Sequence, residues 1–220
     1  MEKQRNTNCW YLTVCDKDCD KCVRYTEMKW QMDNSGLYPS QQNFIKMYIT
    51  DNNRADKQAY NKLGEIRKNI VEFVDNHRNL YICSEQTGNG KTSWAIRMLH
   101  TYFHYCAQGN YEHLLGMFVN TTDLLLKLKD FNHPVSQKYM QNLESVDLAV
   151  FDDIAVAGVS QYDYTQLFNI INKRMMAEKS TIFTSNIVEY EQLEELFGPR
   201  LASRVYTNSE IIELKGWDMR

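Results

Sequence analysis

The chain has 220 residues, of which 43% are hydrophobic and 24% charged, with a net charge of −3. That length suits one ordinary domain plus a small accessory unit, with enough apolar material for a sizeable core. The weak negative charge excludes a global basic field that would drive nonspecific DNA binding, and the lack of a run of about 18 apolar residues excludes a membrane span.

The N-terminal stretch "MEKQRNTNCWYLTVC" carries no long apolar segment of a secretory signal, so a cytoplasmic, reducing compartment is expected. Four of the six cysteines crowd into Cys9, Cys15, Cys19 and Cys22. Four thiolates satisfy tetrahedral Zn²⁺, and a C-x₂-C pair bends easily around one ion. So short a segment lacks the material for its own core, whereas metal binding supplies folding energy. Disulfides, disfavoured in the cytosol, and coordination by fewer cysteines are the alternatives. Cys83 and Cys106 fall on a predicted strand and a predicted helix, and read as small buried hydrophobes. "NSGLYPSQQN" (34–43) reads as a turn-rich junction.

From about residue 56, Ala59, Leu63, Ile66, Ile70 and Phe73 recur at helical spacing. "NLYICS" (79–84) is a β-prone run, followed by "SEQTGNGKTS" and then by Trp94, Ala95, Met98, Leu99, Tyr102 and Cys106 at helical spacing. A glycine-bearing loop between strand and helix is the context of G-x-x-x-x-G-K-[ST], although Glu85 stands where that pattern has its first glycine. Gly88 and Gly90 admit backbone N–H groups to a β-phosphate, and Lys91 reaches the β/γ-phosphates. Thr92 offers a hydroxyl to Mg²⁺, and the helix N-terminus adds its dipole. An ordinary glycine turn is the bland alternative.

"GMFVN" (116–120) is the next strand, with Thr121 or Thr122 capping the helix "DLLLKLKDF". "VDLAVFDDI" (146–154) is an apolar strand ending in Asp152 and Asp153, about 60 residues past the loop lysine. At a strand's C-terminal end these carboxylates suit an Mg²⁺ ligand (Asp152) and a group that orients or deprotonates an attacking water (Asp153). Ser160 caps a helix whose buried stripe is Tyr164, Leu167, Phe168, Ile171 and Met175. "STIFTSN" (180–186) ends in Asn186, placed to position a lytic water. "FGPRLASRVY" sets Arg200 and Arg204 four apart, and "EIIEL" (210–214) is the last strand. Strands alternating with helices predict a mostly parallel α/β sheet with helices on both faces.

The order of loop, D-D strand, T-S-N strand and R-x-x-x-R helix resembles the AAA+ ATPases of the DnaC/DnaI-type helicase-loader group, including phage-encoded relatives. "LFNIINKRMMAEKSTIFTSN", "LFGPRLASRV" and "GNGKTSWA" carry the likeness, which covers roughly residues 60–220. It implies a P-loop AAA+ sheet without a C-terminal lid over 56–220, a linker over 36–55, and a zinc- and helicase-binding head over 1–35. Gly88, Asn89, Gly90, Lys91, Thr92 and Ser93 become the Walker A loop, Asp152 and Asp153 Walker B, and Asn186 sensor 1. Arg204 becomes the arginine finger, with Arg200 close by, and Arg220 a sensor-2-like arginine. ATP, Mg²⁺ and structural Zn²⁺ are the implied cofactors. A hexameric replicative DNA helicase, single-stranded DNA and further copies of this chain are the implied partners, with no membrane. A transposition-helper ATPase, a replication-initiator relative and a non-hydrolysing adaptor are the competing readings.

Overall fold

The computed structural model of the protein describes residues 22–43, 45–107, 113–129, 134–155 and 160–217. Its centre is a sheet of five parallel strands, β1 (Asn79–Cys83), β2 (Gly116–Asn120), β3 (Leu148–Asp152), β4 (Ser180–Ser185) and β5 (Glu210–Glu213), in the order β2-β3-β4-β1-β5. Apolar runs without polar alternation suit strands covered on both sides. Alternate strand residues feed two separate cores. Leu80, Ile82, Phe118, Val150 and Ile182 face one layer, while Tyr81, Cys83, Val119, Phe151 and Phe183 face the other.

The first layer holds α1 (Val23–Asn34), α2 (Lys57–Lys68), α3 (Ile70–Asp75) and α4 (Lys91–Cys106). The second holds α5 (Thr121–Lys129), α6 (Pro134–Ser145), α7 (Gln161–Met176) and α8 (Tyr190–Ala202). The expected parallel α/β architecture is therefore present. Cys83 and Cys106 are buried as expected, and burial pushes their thiols up to about 12 and about 11, out of reach of thiolate chemistry.

Local differences have physical causes. The single helix expected from about residue 56 breaks at Asn69 (φ −106°, ψ 31°), so its apolar stripe continues across two helices. The cap of α5 is not a threonine: Asn120 Oδ1 accepts the Asp123 N–H at 3.2 Å. That leaves Thr121 Oγ1 to donate to the Asp152 carbonyl at 2.9 Å. Ser160 caps α7 as expected, in a reciprocal box with Asp163.

Helix α1 falls inside the segment assigned to the cysteine-rich head, yet it packs on α4 and guards the β2 edge of the sheet. Met28 and Met32 join the first core. The buried Gln31 side chain donates to the His113 carbonyl at 3.0 Å and accepts the Leu115 N–H at 2.9 Å. The Ser35 carbonyl then accepts the Phe118 N–H at 2.7 Å, and Gly36 (φ +83°) lies so near that a Cβ would sit 2.5 Å from the Phe118 carbonyl oxygen. Pairing an edge strand's free amides in this way removes a template for aggregation.

Candidate functional site

Parallel register brings the C-terminal ends of β1, β3 and β4 together, with Cys83 opposite Ser185 and Phe151 opposite Phe183. Ligands of open α/β sheets bind in that crevice. The loop from Ser84 to Gly90 leaves β1 there and turns into α4 through Gly88 (φ +72°) and Gly90 (φ +98°). Both glycines occupy left-handed backbone that other residues adopt at a cost of roughly 1 kcal/mol or more. Glu85 does not: its side chain is exposed and it is not among the positive-φ residues. Its place asks nothing of a glycine. Glu85→Gly should accordingly leave nucleotide affinity unchanged or tighten it, within about threefold (about 0.6 kcal/mol). Titration with a fluorescent ATP analogue checks this, and a clear loss would give the glutamate a positive role.

Lys91 folds back over its own loop. Its Nζ donates to the Gln86 carbonyl at 2.7 Å, the Ser84 carbonyl at 3.5 Å and Asn89 Oδ1 at 3.4 Å. Burial lowers its pKa, opposed by the nearby Asp153 and Asp152 carboxylates. A partly desolvated ammonium over a turn of backbone amides at the start of a 16-residue helix forms an anion site. The Asn89 side chain, fully buried, serves the loop: its Nδ2 donates to Ser84 Oγ and, at 3.3 Å, to the Leu214 carbonyl.

At the end of β3, Asp152 Oδ1 accepts two hydroxyls at 2.7 Å each, from Thr92 and from Thr184. Burial raises the Asp152 pKa, and those two hydrogen bonds pull against the rise. Oxygen donors from Thr92 and Asp152 meeting at this distance match the hard ligands that Mg²⁺ takes. Asp152→Asn keeps the Oδ1 acceptor and removes a buried charge. It should raise Tm at pH 7 by roughly 2–4 °C, the equivalent of about 1 kcal/mol, while abolishing Mg²⁺-dependent activity. Because the folded pKa is raised, wild type regains stability as pH falls and the carboxyl protonates, so the gap should narrow on acidification. Thermal melts at neutral and acidic pH test this; a gap that widens on acidification would contradict it.

Asp153 is exposed, with left-handed backbone (φ +52°) that turns its carboxylate out of the strand. Thr184 Oγ1 accepts its N–H at 2.8 Å, and Asn186 Nδ2 donates to its Oδ1 at 3.4 Å. Lys91, Thr92, Asp152, Asp153 and Asn186 are thus gathered in one crevice. Thr184, bonded to both aspartates, is not singled out by the sequence; only its place at the C-terminal end of β4, two residues before Asn186, could have suggested it.

Arg204 is not in this crevice. It lies in a π-helical turn (Ser203–Thr207) beyond a kink at Gly198 (φ +72°) in α8. Its Nε donates to Asn172 Oδ1 at 2.8 Å, and its guanidinium stacks 4.6 Å from the Phe168 ring centroid. Arg200, on the same segment, is exposed. Arg220, Cys9, Cys15 and Cys19 lie outside the described residues; Cys22 sits at the N-cap of α1 as a free thiol. Among the described residues no cluster of three His, Cys, Asp or Glu side chains suits a metal, and no helix is long and apolar enough to cross a membrane.

A cleft of about 500 Å³ opens beside the loop, walled by Gly88–Ser93 on one side and by Ile45, Lys46, Met47, Tyr48 and Thr50 on the other. Its volume is in the range of nucleotide-sized sites. The second wall belongs to the segment expected to be a linker.

A family model described as IstB-like ATP binding protein matches residues 18–220. A protein named Replicative helicase loader DnaC, from Buchnera aphidicola subsp. Baizongia pistaciae, is 25% identical over 175 residues, covering 76% of this chain and 67% of its own. The crystal structure of the DnaC helicase loader superposes with a TM-score of 0.62 at 20% identity, covering 78% of this chain and 94% of that one. AMPPCP-bound DnaA from Aquifex aeolicus gives 0.59 at 19% identity, covering 81% and 51%. These likenesses establish the P-loop AAA+ fold.

Proposed function

The chain belongs to the IstB-like ATP-binding family, and from that premise we propose that it is an ATP-dependent loader of a hexameric replicative DNA helicase onto single-stranded DNA. The observation that carries the reading is similarity along 76% of the chain to a protein named as a replicative helicase loader. The crevice supports ATP as the switch. Lys91 and the amides of Gly88–Thr92 hold the β/γ-phosphates, and the 45–50 wall receives the rest of the nucleotide. Mg²⁺, held by Thr92 and Asp152, would neutralise phosphate charge. Asp153 takes the proton of the attacking water, and Asn186 fixes the carboxylate that takes it. Asp153→Asn should therefore bind ATP within about threefold of wild type and turn it over about 100-fold more slowly. Turnover at saturating ATP within about threefold of wild type would remove Asp153 from the chemistry.

Arg204, with Arg200 beside it, serves the nucleotide of a neighbouring copy in a ring or spiral, where a cation stabilises the transferring phosphoryl group. Arg220 completes the site as the sensor-2-like residue. Cys9, Cys15, Cys19 and Cys22 hold structural Zn²⁺ in a helicase-binding head, supported by four soft ligands of suitable spacing. Because α1 is part of the folded core, the head is tested by removing residues 1–21 only. Co-purification with a replicative helicase and mass determination of the complex test the whole: a complex with the hexamer is expected, lost or weakened on that truncation. The transposition-helper alternative draws on the family's IstB-like description. Failure to capture helicase in either ATP or ADP, with turnover intact, would favour it.

A further inference from the structure

The segment just past β5, Leu214–Gly216, links the two walls of the cleft, touching Asn89 of the loop and reaching the 45–50 wall through Asp56 and Asn53. On the loop side, the Leu214 N–H donates to the Cys83 carbonyl at 2.8 Å, and its carbonyl accepts Asn89 Nδ2 at 3.3 Å. The same Asn89 amide reaches Ser84 Oγ, and its Oδ1 accepts from Lys91 Nζ at 3.4 Å. On the opposite side, the Asp56 carboxylate accepts the N–H groups of Lys215 and, at 2.9 Å, of Gly216. Gly216 fits so tightly that a Cβ would lie 2.5 Å from Asp56 Oδ2 and 2.9 Å from Asn53 Cα and Cβ. Asn53 in turn builds the far wall. Its Nδ2 donates to the Tyr48 carbonyl and the Tyr60 hydroxyl, both at 2.9 Å, and its Oδ1 accepts the Thr50 N–H at 2.6 Å.

Asn53, Asp56 and Asn89 are all buried, and buried polar groups cost stability unless every bond is made. Their bonds are made: Asn89 and Asp56 bond the three-residue strap directly, and Asn53, packed against Gly216, bonds the 45–50 wall. We propose that Asn89 and Asp56 are positioning residues that act through this strap, fixing the phosphate loop against the 45–50 wall and so setting the cleft's fit to its ligand. No side-chain atom of either residue needs to touch the ligand. The consequence for ATP rests on the nucleotide reading above, but the brace itself does not.

Gly216→Ala in the full chain is the direct test, because the added methyl forces the strap off Asp56 and Asn53 without changing any residue of the loop. In nucleotide-free protein, amide exchange should rise about tenfold within 84–90 and 45–50 and little in β3 or β4, as expected for local opening. Affinity for a fluorescent ATP analogue should fall about tenfold with turnover at saturation within twofold, a KM loss without a kcat loss that general destabilisation does not produce. Lys215→Ala, whose side chain pairs with Glu213 at 3.1 Å and whose N–H stays in place, should leave exchange and affinity unchanged. If Gly216→Ala fails to fold, Asp56→Asn releases the strap more gently with the same readouts. Unchanged exchange in both segments, or a rise spread evenly over the sheet, overturns the brace. Exchange that responds as stated in a protein that binds no nucleotide sinks the ATP reading and leaves the brace standing.

Discussion

Lys91→Ala is expected to abolish the rise in Tm that ATP and Mg²⁺ confer and to weaken ATP binding at least about 100-fold, the loss of some 3 kcal/mol of charge-assisted contact. The nucleotide-free variant should melt within about 2 °C of wild type, because two changes offset. The alanine loses the bonds to the Gln86 and Ser84 carbonyls and to Asn89 Oδ1, and water can replace the one to exposed Gln86. It also relieves the burial that lowers the lysine's pKa. Wild type should gain about 2.7 kcal/mol at a ligand concentration 100 times Kd, so the contrast between the melts is large. A nucleotide-dependent shift that survives in Lys91→Ala would remove this lysine, and with it the anion site, from the mechanism.

Much of that site could be read from the chain because each signal was local. Glycine, lysine and threonine between a strand and a helix specify a turn, a charge and a hydroxyl in one place. Two aspartates at the end of an apolar run fall in the same crevice once the sheet is parallel. What escaped was whatever depends on distant partners. Helix α6 buries only Met140 and Leu143 among its residues, too thin a stripe to announce itself. Gln31 is buried because it completes the backbone bonding of residues 113–115, a role that no periodicity encodes. The 45–50 segment became a wall of the cleft through Asn53 and a strap more than 150 residues away along the chain. Thr184 was hidden for another reason: a threonine in a strand already satisfies β-propensity, so nothing marked it as the residue bonded to both aspartates.

Arg174→Met is expected to cost about 3–5 kcal/mol and to lower Tm by about 10 °C, more than any other single change considered for the fold. The guanidinium is fully buried on α7 and, among the described residues, hydrogen-bonds to no carboxylate, although the charge of nearby Asp147 favours its protonated form. Instead Nη1 donates to the Leu143 and Val146 carbonyls at 2.7 and 2.9 Å, and Nη2 to the Ser180 carbonyl at 2.6 Å. Nε donates to Thr181 Oγ1 at 3.2 Å. The cation thus closes the C-terminal end of α6, where helix carbonyls favour positive charge, and ties it to the first residues of β4. Methionine fills much of the volume and satisfies none of these acceptors, each of which then bears its desolvation cost. Lysine, with a charge but no planar fork, should recover only part of the loss. Burial pushes the Arg174 pKa down to about 9, so at neutral pH both the folded and the unfolded chain still carry its charge. Below that value neither state changes protonation, and the deficit of Arg174→Met should stay flat from pH 6 to pH 8. Urea denaturation across that pH range checks this, and a loss below 1 kcal/mol would mean that water reaches these carbonyls once the guanidinium is gone.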